Sequence, residues 1–129
     1  MIGRMVAGIR KNVAHLFAST GHSLAGLRAC ARDEAAFRQE LVAGIVHFGL
    51  ILWLDLPFAT CVFLTVLYVL LLVVELLNTS IEAVVDLATK GRIHPLAKKA
   101  KDCASAAVFC MAVLFVGSWL YVLGMDRFQ

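Results

Sequence analysis

No Cys-x-x-Cys pair occurs in this 129-residue chain. Its four cysteines, Cys30, Cys61, Cys103 and Cys110, do not read as a disulfide framework. Three of them lie in or beside apolar helical runs, where a free thiol serves as a small hydrophobe. Zinc binding through sulfur is set aside, because such sites need closely spaced ligand pairs. The chain also lacks both the Gly-x-x-x-x-Gly-Lys-Ser/Thr loop and the Gly-x-Gly-x-x-Gly turn, so no familiar soluble nucleotide cradle is present. The N-terminus is expected to belong to the mature protein rather than to a secretory signal: Arg4, Arg10 and Lys11 break the N-terminal apolar residues, and no convincing small-residue cleavage site follows a core. The basic residues flank apolar stretches rather than forming one broad patch, so nucleic acid is not an expected partner.

What the chain has in excess is apolar surface. Hydrophobic residues make up 61% and the mean hydropathy is +0.86, against about 45–50% apolar in ordinary soluble domains. The expectation is an all-α membrane protein forming a single domain over 1–129. Ile2, Met5, Val6, Ile9, Val13, Leu16 and Phe17 recur at steps of three and four, with Arg4, Arg10, Lys11 and His15 between them. That pattern predicts an amphipathic helix region over 1–30, lying in the membrane interface or packed on the protein's own spans.

Leu41 to Leu54 is uncharged but only fourteen residues long, short of the about 20 that a bilayer core requires. The first span is therefore placed at 34–54, which puts Glu34, Arg38 and Glu40 at the membrane edge. "LDLPF" at 54–58 breaks the pattern, because Pro57 lacks a backbone N–H and disfavours helix before it. The second span with a cytoplasmic extension is placed at 57–86, a cytoplasmic loop at 87–100 and the third span at 101–125. Arg4, Arg10, Lys11, Arg28, Arg32 and Arg38 precede the first span, and Lys90, Arg92, Lys98, Lys99 and Lys101 follow the second; the turn at 54–58 has no basic residue. The positive-inside bias predicts a cytoplasmic N-terminus and 87–101 loop, with the C-terminus outward.

The second span ends in "VELLNTSIEAVVD" at 74–86, after nineteen residues from Leu56 to Val74 without charge. At 100° per residue, Glu75, Asn78, Glu82 and Asp86 share an arc of about 80° and extend over about 16 Å. Asp86 reads as a solvated helix end. Glu75 does not: a carboxylate at membrane depth costs about 2.5–3.5 kcal/mol and ordinarily has a function. Two carboxylates near the surface can hold Mg²⁺, which takes oxygen ligands along with water or phosphate oxygens. The deeper one can accept a proton from a buried hydroxyl, and Asn78 can orient that group. Lys101 and its basic neighbours can face polyphosphate. Together these parts suggest phosphoryl transfer from a nucleotide to a lipid alcohol.

Three blocks, "EAAFRQE" at 34–40, "ELLNTSIEAVVD" at 75–86 and "AKDCASAAV" at 100–108, resemble the prokaryotic diacylglycerol kinase family over residues 15–125. The resemblance implies a homotrimer in the bacterial inner membrane, with three transmembrane helices and one surface helix per chain and sites shared between subunits. It implies transfer of the ATP γ-phosphate to diacylglycerol, giving phosphatidic acid. Glu75 would be the general base, supported by Asn78. Glu34 and Glu82 would bind Mg²⁺, and Lys101, Asp102, His94 and His22 would contact the nucleotide. Arg28, Phe37, Arg38, Gln39, Trp53 and Ser105, with Glu75, would lie along the lipid substrate.

Departures fall where His22 and Leu24 replace the family's usual Tyr and Trp, and where Thr79 replaces Ser. A related branch of the family phosphorylates undecaprenol, although "DEAAFRQE" at 33–40 looks more like the diacylglycerol branch. Phe37 and Trp53 also read as packing or interfacial aromatics, and Ser105 as a small residue permitting helix contact. His47 reads as a bundle-facing or snorkelling side chain. The rival from another class is a non-enzymatic membrane channel or assembly subunit, which would need rings of charge but no pairing of Glu34 with Glu82.

Overall fold

The structure, a computed structural model, describes residues 2–126, with side chains placed from Ala18 to Met125. The apolar face expected over residues 2–17 and the C-terminal tail lie outside the described side chains. Four helices follow one another: α1 (Ile2–Asp33), α2 (Ala35–Trp53), α3 (Phe58–Thr89) and α4 (Pro95–Asp126). The chain divides into two compact units, Met1–Glu34 and Ala35–Gln129. Three stretches, Ala35–Trp53, Phe58–Thr89 and Pro95–Met125, are long and apolar enough to cross a membrane. No disulfide joins Cys30, Cys61, Cys103 or Cys110.

Helix boundaries follow from local chemistry. Pro57 precedes α3 with φ −55° and ψ 138°, extended values that its ring permits. At the other end of α3, Lys90 (φ 51°) and Gly91 (φ 75°) turn the chain left-handed, and the Lys90 N–H closes on the Asp86 carbonyl at 3.0 Å. Pro95 occupies the first position of α4, where no N–H is needed. The connector expected at 87–100 is thus helical except at 90–94, because a proline at a helix start favours helix rather than loop.

In the second unit, α3 packs chiefly along α4 and less extensively along α2. Leu64, Tyr68 and Leu71 of α3 meet Phe115 and Trp119 of α4 in the core. Spacings of four, three and four carry the same buried face on to Glu75. Outward apolar side chains such as Ile45 (74% exposed) and Leu52 (87% exposed) suit a lipid-facing surface.

His47, only 1% exposed, ties α2 to both neighbours and is bundle-facing. The Trp119 indole N–H donates to His47 Nδ1 at 3.2 Å. Indole is a donor only, so the neutral ring carries its proton on Nε2 and donates to Thr65 Oγ1 at 3.3 Å. Tyr68 stacks on the imidazole, with ring centroids 5.2 Å apart. Both ring nitrogens are satisfied, which is what makes a buried imidazole tolerable in apolar surroundings.

Candidate functional site

Because α3 runs unbroken to Thr89, the carboxylate stripe keeps helical spacing throughout. Glu75 is 3% exposed; Asn78 and Glu82 are half-buried, and Asp86 is exposed. Burial therefore grades from the core outward along one face. Asn78 Oδ1 is buried without a hydrogen-bond partner. Leaving such an acceptor unsatisfied costs about 1–3 kcal/mol, so this oxygen is available to a donor or a cation. Glu82 lies one turn further on and adds a carboxylate. Among the described residues no three His, Cys, Asp or Glu side chains converge on one point. The oxygen donors of Asn78 and Glu82 nevertheless suit Mg²⁺, which commonly uses one or two protein carboxylates and completes its shell with water and phosphate.

The α3–α4 connector builds a cleft of about 240 Å³ at the end of this stripe, lined in part by Arg92, His94, Lys98 and Lys101. Lys101 Nζ reaches across to Asp86 Oδ1 at 2.7 Å, tying α4 to α3. Lys98 pairs instead with Asp102 one turn on. Lys101 and Asp102 are adjacent on α4 and so point about 100° apart; the lysine faces α3 and the aspartate turns to the exposed side. His94 caps α4: its Nδ1 accepts the Leu96 N–H at 3.2 Å, which leaves the Nε2–H of the neutral ring free to face the cleft or solvent. Four basic or N–H-bearing groups around one cleft form an environment for polyanions.

The remaining expected residues distribute as follows. His22 and Arg28 are exposed and Glu34 half-buried, all within the first unit. Phe37 is buried, Arg38, Gln39 and Ser105 are exposed, and Trp53 is 80% exposed. Trp53 ends α2, about 24 Å along the axis from Phe37 at 1.5 Å per residue. It is not brought to the carboxylates. Glu40 is not among the site residues expected from sequence, yet its Oε2 is buried without a hydrogen-bond partner, and the charge of Glu75 acts on it. The signal was available: Phe37, Glu40, Gly44 and His47 fall at steps of three and four and share one face of α2.

The sequence profile of prokaryotic diacylglycerol kinases matches residues 21–123. The chain is 42% identical to the diacylglycerol kinase of Escherichia coli (strain K12) over 105 residues, covering 81% of this chain and 85% of that protein. It is 41% identical to the diacylglycerol kinase of Pseudomonas aeruginosa with the same coverage, and 38% identical to that of Helicobacter pylori (strain 26695) over 84% of each chain.

Proposed function

The chain belongs to the prokaryotic diacylglycerol kinase family and is a membrane lipid kinase, and from that premise we propose that it transfers the γ-phosphoryl group of ATP to diacylglycerol, giving phosphatidic acid. The observation that carries this reading is Glu75, a carboxylate only 3% exposed at the end of an otherwise apolar buried face. A carboxylate buried among apolar side chains is costly and ordinarily has a task, and accepting the proton of a lipid hydroxyl is the task that fits this family.

Glu75 takes the proton of the acceptor hydroxyl as the oxygen attacks the γ-phosphorus. The O–H bond breaks, the new O–P bond forms, the bond to the β-phosphate oxygen breaks, and ADP leaves. Proton acceptance of this kind is worth about 10²–10⁴ in rate. Asn78, one turn from Glu75, orients the head group with its amide. Glu82, together with Glu34, would hold Mg²⁺, whose charge offsets that of the transferred phosphoryl group. Lys101, Arg92 and His94 face the polyphosphate from the connector cleft, and His22 and Asp102 add nucleotide contacts. Arg28, Phe37, Arg38, Gln39, Ser105 and, at the far end of α2, Trp53 follow the lipid.

The working unit is a homotrimer in the bacterial inner membrane, with the N-terminus and the α3–α4 connector cytoplasmic and the C-terminus outward. The turn of Asp102 away from Lys101 supports a site shared between chains. The test is ATP consumption by the purified protein in lipid micelles, with and without diacylglycerol. Turnover that depends on diacylglycerol supports the reading; turnover that depends only on undecaprenol reassigns the substrate; no lipid-dependent turnover refutes it.

A further inference from the structure

We propose that Glu40 is a positioning residue for Glu75: the two carboxyl groups, one from α2 and one from α3, hold a single proton between them, and Glu40 uses it to fix the reacting carboxylate. The inference rests on the reading of Glu75 as the base.

The geometry comes from the pairing of α2 with α3. His47 bonds to Thr65, and the Tyr68 hydroxyl donates to the Glu40 carbonyl at 3.3 Å. These contacts run in opposite directions along the two helices, so the pair is antiparallel. Seven residues back from His47 and seven on from Thr65, Glu40 lies opposite Leu72. By the same count Phe37 lies opposite Glu75. The two glutamates are thus offset by three residues, about 4.5 Å along the axis. Helical side chains lean toward their own N-terminus. In an antiparallel pair the Glu40 side chain therefore leans toward the level of Glu75, and that of Glu75 toward the level of Glu40. Both lie on the buried faces of their helices, and the charge of Glu75 acts on Glu40. Glu40 thus lies further along the bundle from the α3–α4 connector than Glu75 does.

Two carboxylates at close quarters in an apolar setting do not both ionise; they share a proton and titrate as a unit. The protonated partner donates to the ionised one and restricts its rotation. On turnover Glu75 accepts the hydroxyl proton, so the pair then carries two, and one is returned to water when product leaves. Tyr68 sets the register. Its hydroxyl occupies the space above Gly44, where a Cβ would collide with it, and its bond to the Glu40 carbonyl holds that turn of α2 in place.

The test compares Glu40→Met, Glu40→Gln and Tyr68→Phe in the full-length protein in micelles, with Glu75→Gln alongside. Met keeps length and removes the acid; Gln keeps a hydrogen-bond donor. Glu40→Met is expected to lower kcat by about 10²-fold, the scale of a displaced catalytic group, with KM for ATP unchanged. Glu40→Gln is expected to recover most of that loss. Near-normal kcat for Glu40→Met overturns the proposal, and so does Glu40→Gln as impaired as Glu40→Met, because a bare charge would then be what matters. Should Glu40→Met fail to assemble, Tyr68→Phe decides: a lowered kcat with unchanged KM for ATP supports the register argument, and an unchanged kcat overturns it. An active Glu75→Gln protein defeats the base assignment itself, separately from any result at Glu40.

Discussion

Gly44 gives the sharpest test of how α2 is seated. A Cβ built there meets the Tyr68 hydroxyl and comes within 2.5 Å of the ring carbon that bears it. Tyr68 is 5% exposed and stacked against His47, so it has little room to retreat. Overpacking of this kind costs about 1–3 kcal/mol. Losing the Tyr68–Glu40 bond adds about 0.5–1.5 kcal/mol, while the better helix propensity of Ala returns about 1 kcal/mol. Gly44→Ala is therefore expected to destabilise by about 0.5–3.5 kcal/mol. Gly49 supplies the control, since a Cβ there meets nothing within 4 Å; Gly49→Ala is expected to be neutral or slightly stabilising. Unfolding in mixed micelles, followed by circular dichroism against added denaturing detergent, reads both. Adding Tyr68→Phe to Gly44→Ala removes the nearest atom but not the ring, so it should relieve the clash in part, with a coupling of about 0.5 kcal/mol or more. Gly44→Ala as stable as the parent, with Tyr68 in place, refutes the packing argument and with it the register that places Glu40.

Glu75→Gln is expected to lower kcat by about 10²–10⁴-fold, the usual worth of a general base, while helical content and nucleotide binding persist; activity assays beside circular dichroism check this. Glu34→Gln and Glu82→Gln should each raise the Mg²⁺ concentration needed for half-maximal turnover. Their combination should cost little more than either alone, because groups acting as a unit are non-additive; an unchanged Mg²⁺ dependence removes the pair. Asp102→Asn and Glu75→Gln should each be inactive as pure oligomers, yet recover activity when unfolded and reassembled together, with a maximum near equal mixing. Verified mixed oligomers without recovery would return Asp102 to its own chain's site.

The carboxylate stripe was legible because a helix has a fixed period and α3 has no internal break. Asn78, Glu82 and Asp86 fall on the expected face, and Pro57 ends the preceding turn as its ring requires. In the sequence Gly91 and Pro95 both read as breaks and make the connector look longer than it is, whereas Pro95 starts a helix. Glu40 is less legible in the sequence, because a glutamate near a basic flank looks like a snorkelling surface residue until the opposing helix is in view.

Composition and periodicity by themselves determined the membrane class, the three apolar helices and the grouping of Glu75, Asn78, Glu82 and Asp86, since these depend only on neighbours along one chain segment. The tertiary structure decided what lies opposite what: Tyr68 in the space left by Gly44 and on the Glu40 carbonyl, Lys101 on Asp86, and His47 held neutral between Trp119 and Thr65. Those pairings depend on the register between helices. That register is set by side-chain shape and by the need to satisfy buried polar groups, and no spacing within a single helix encodes it.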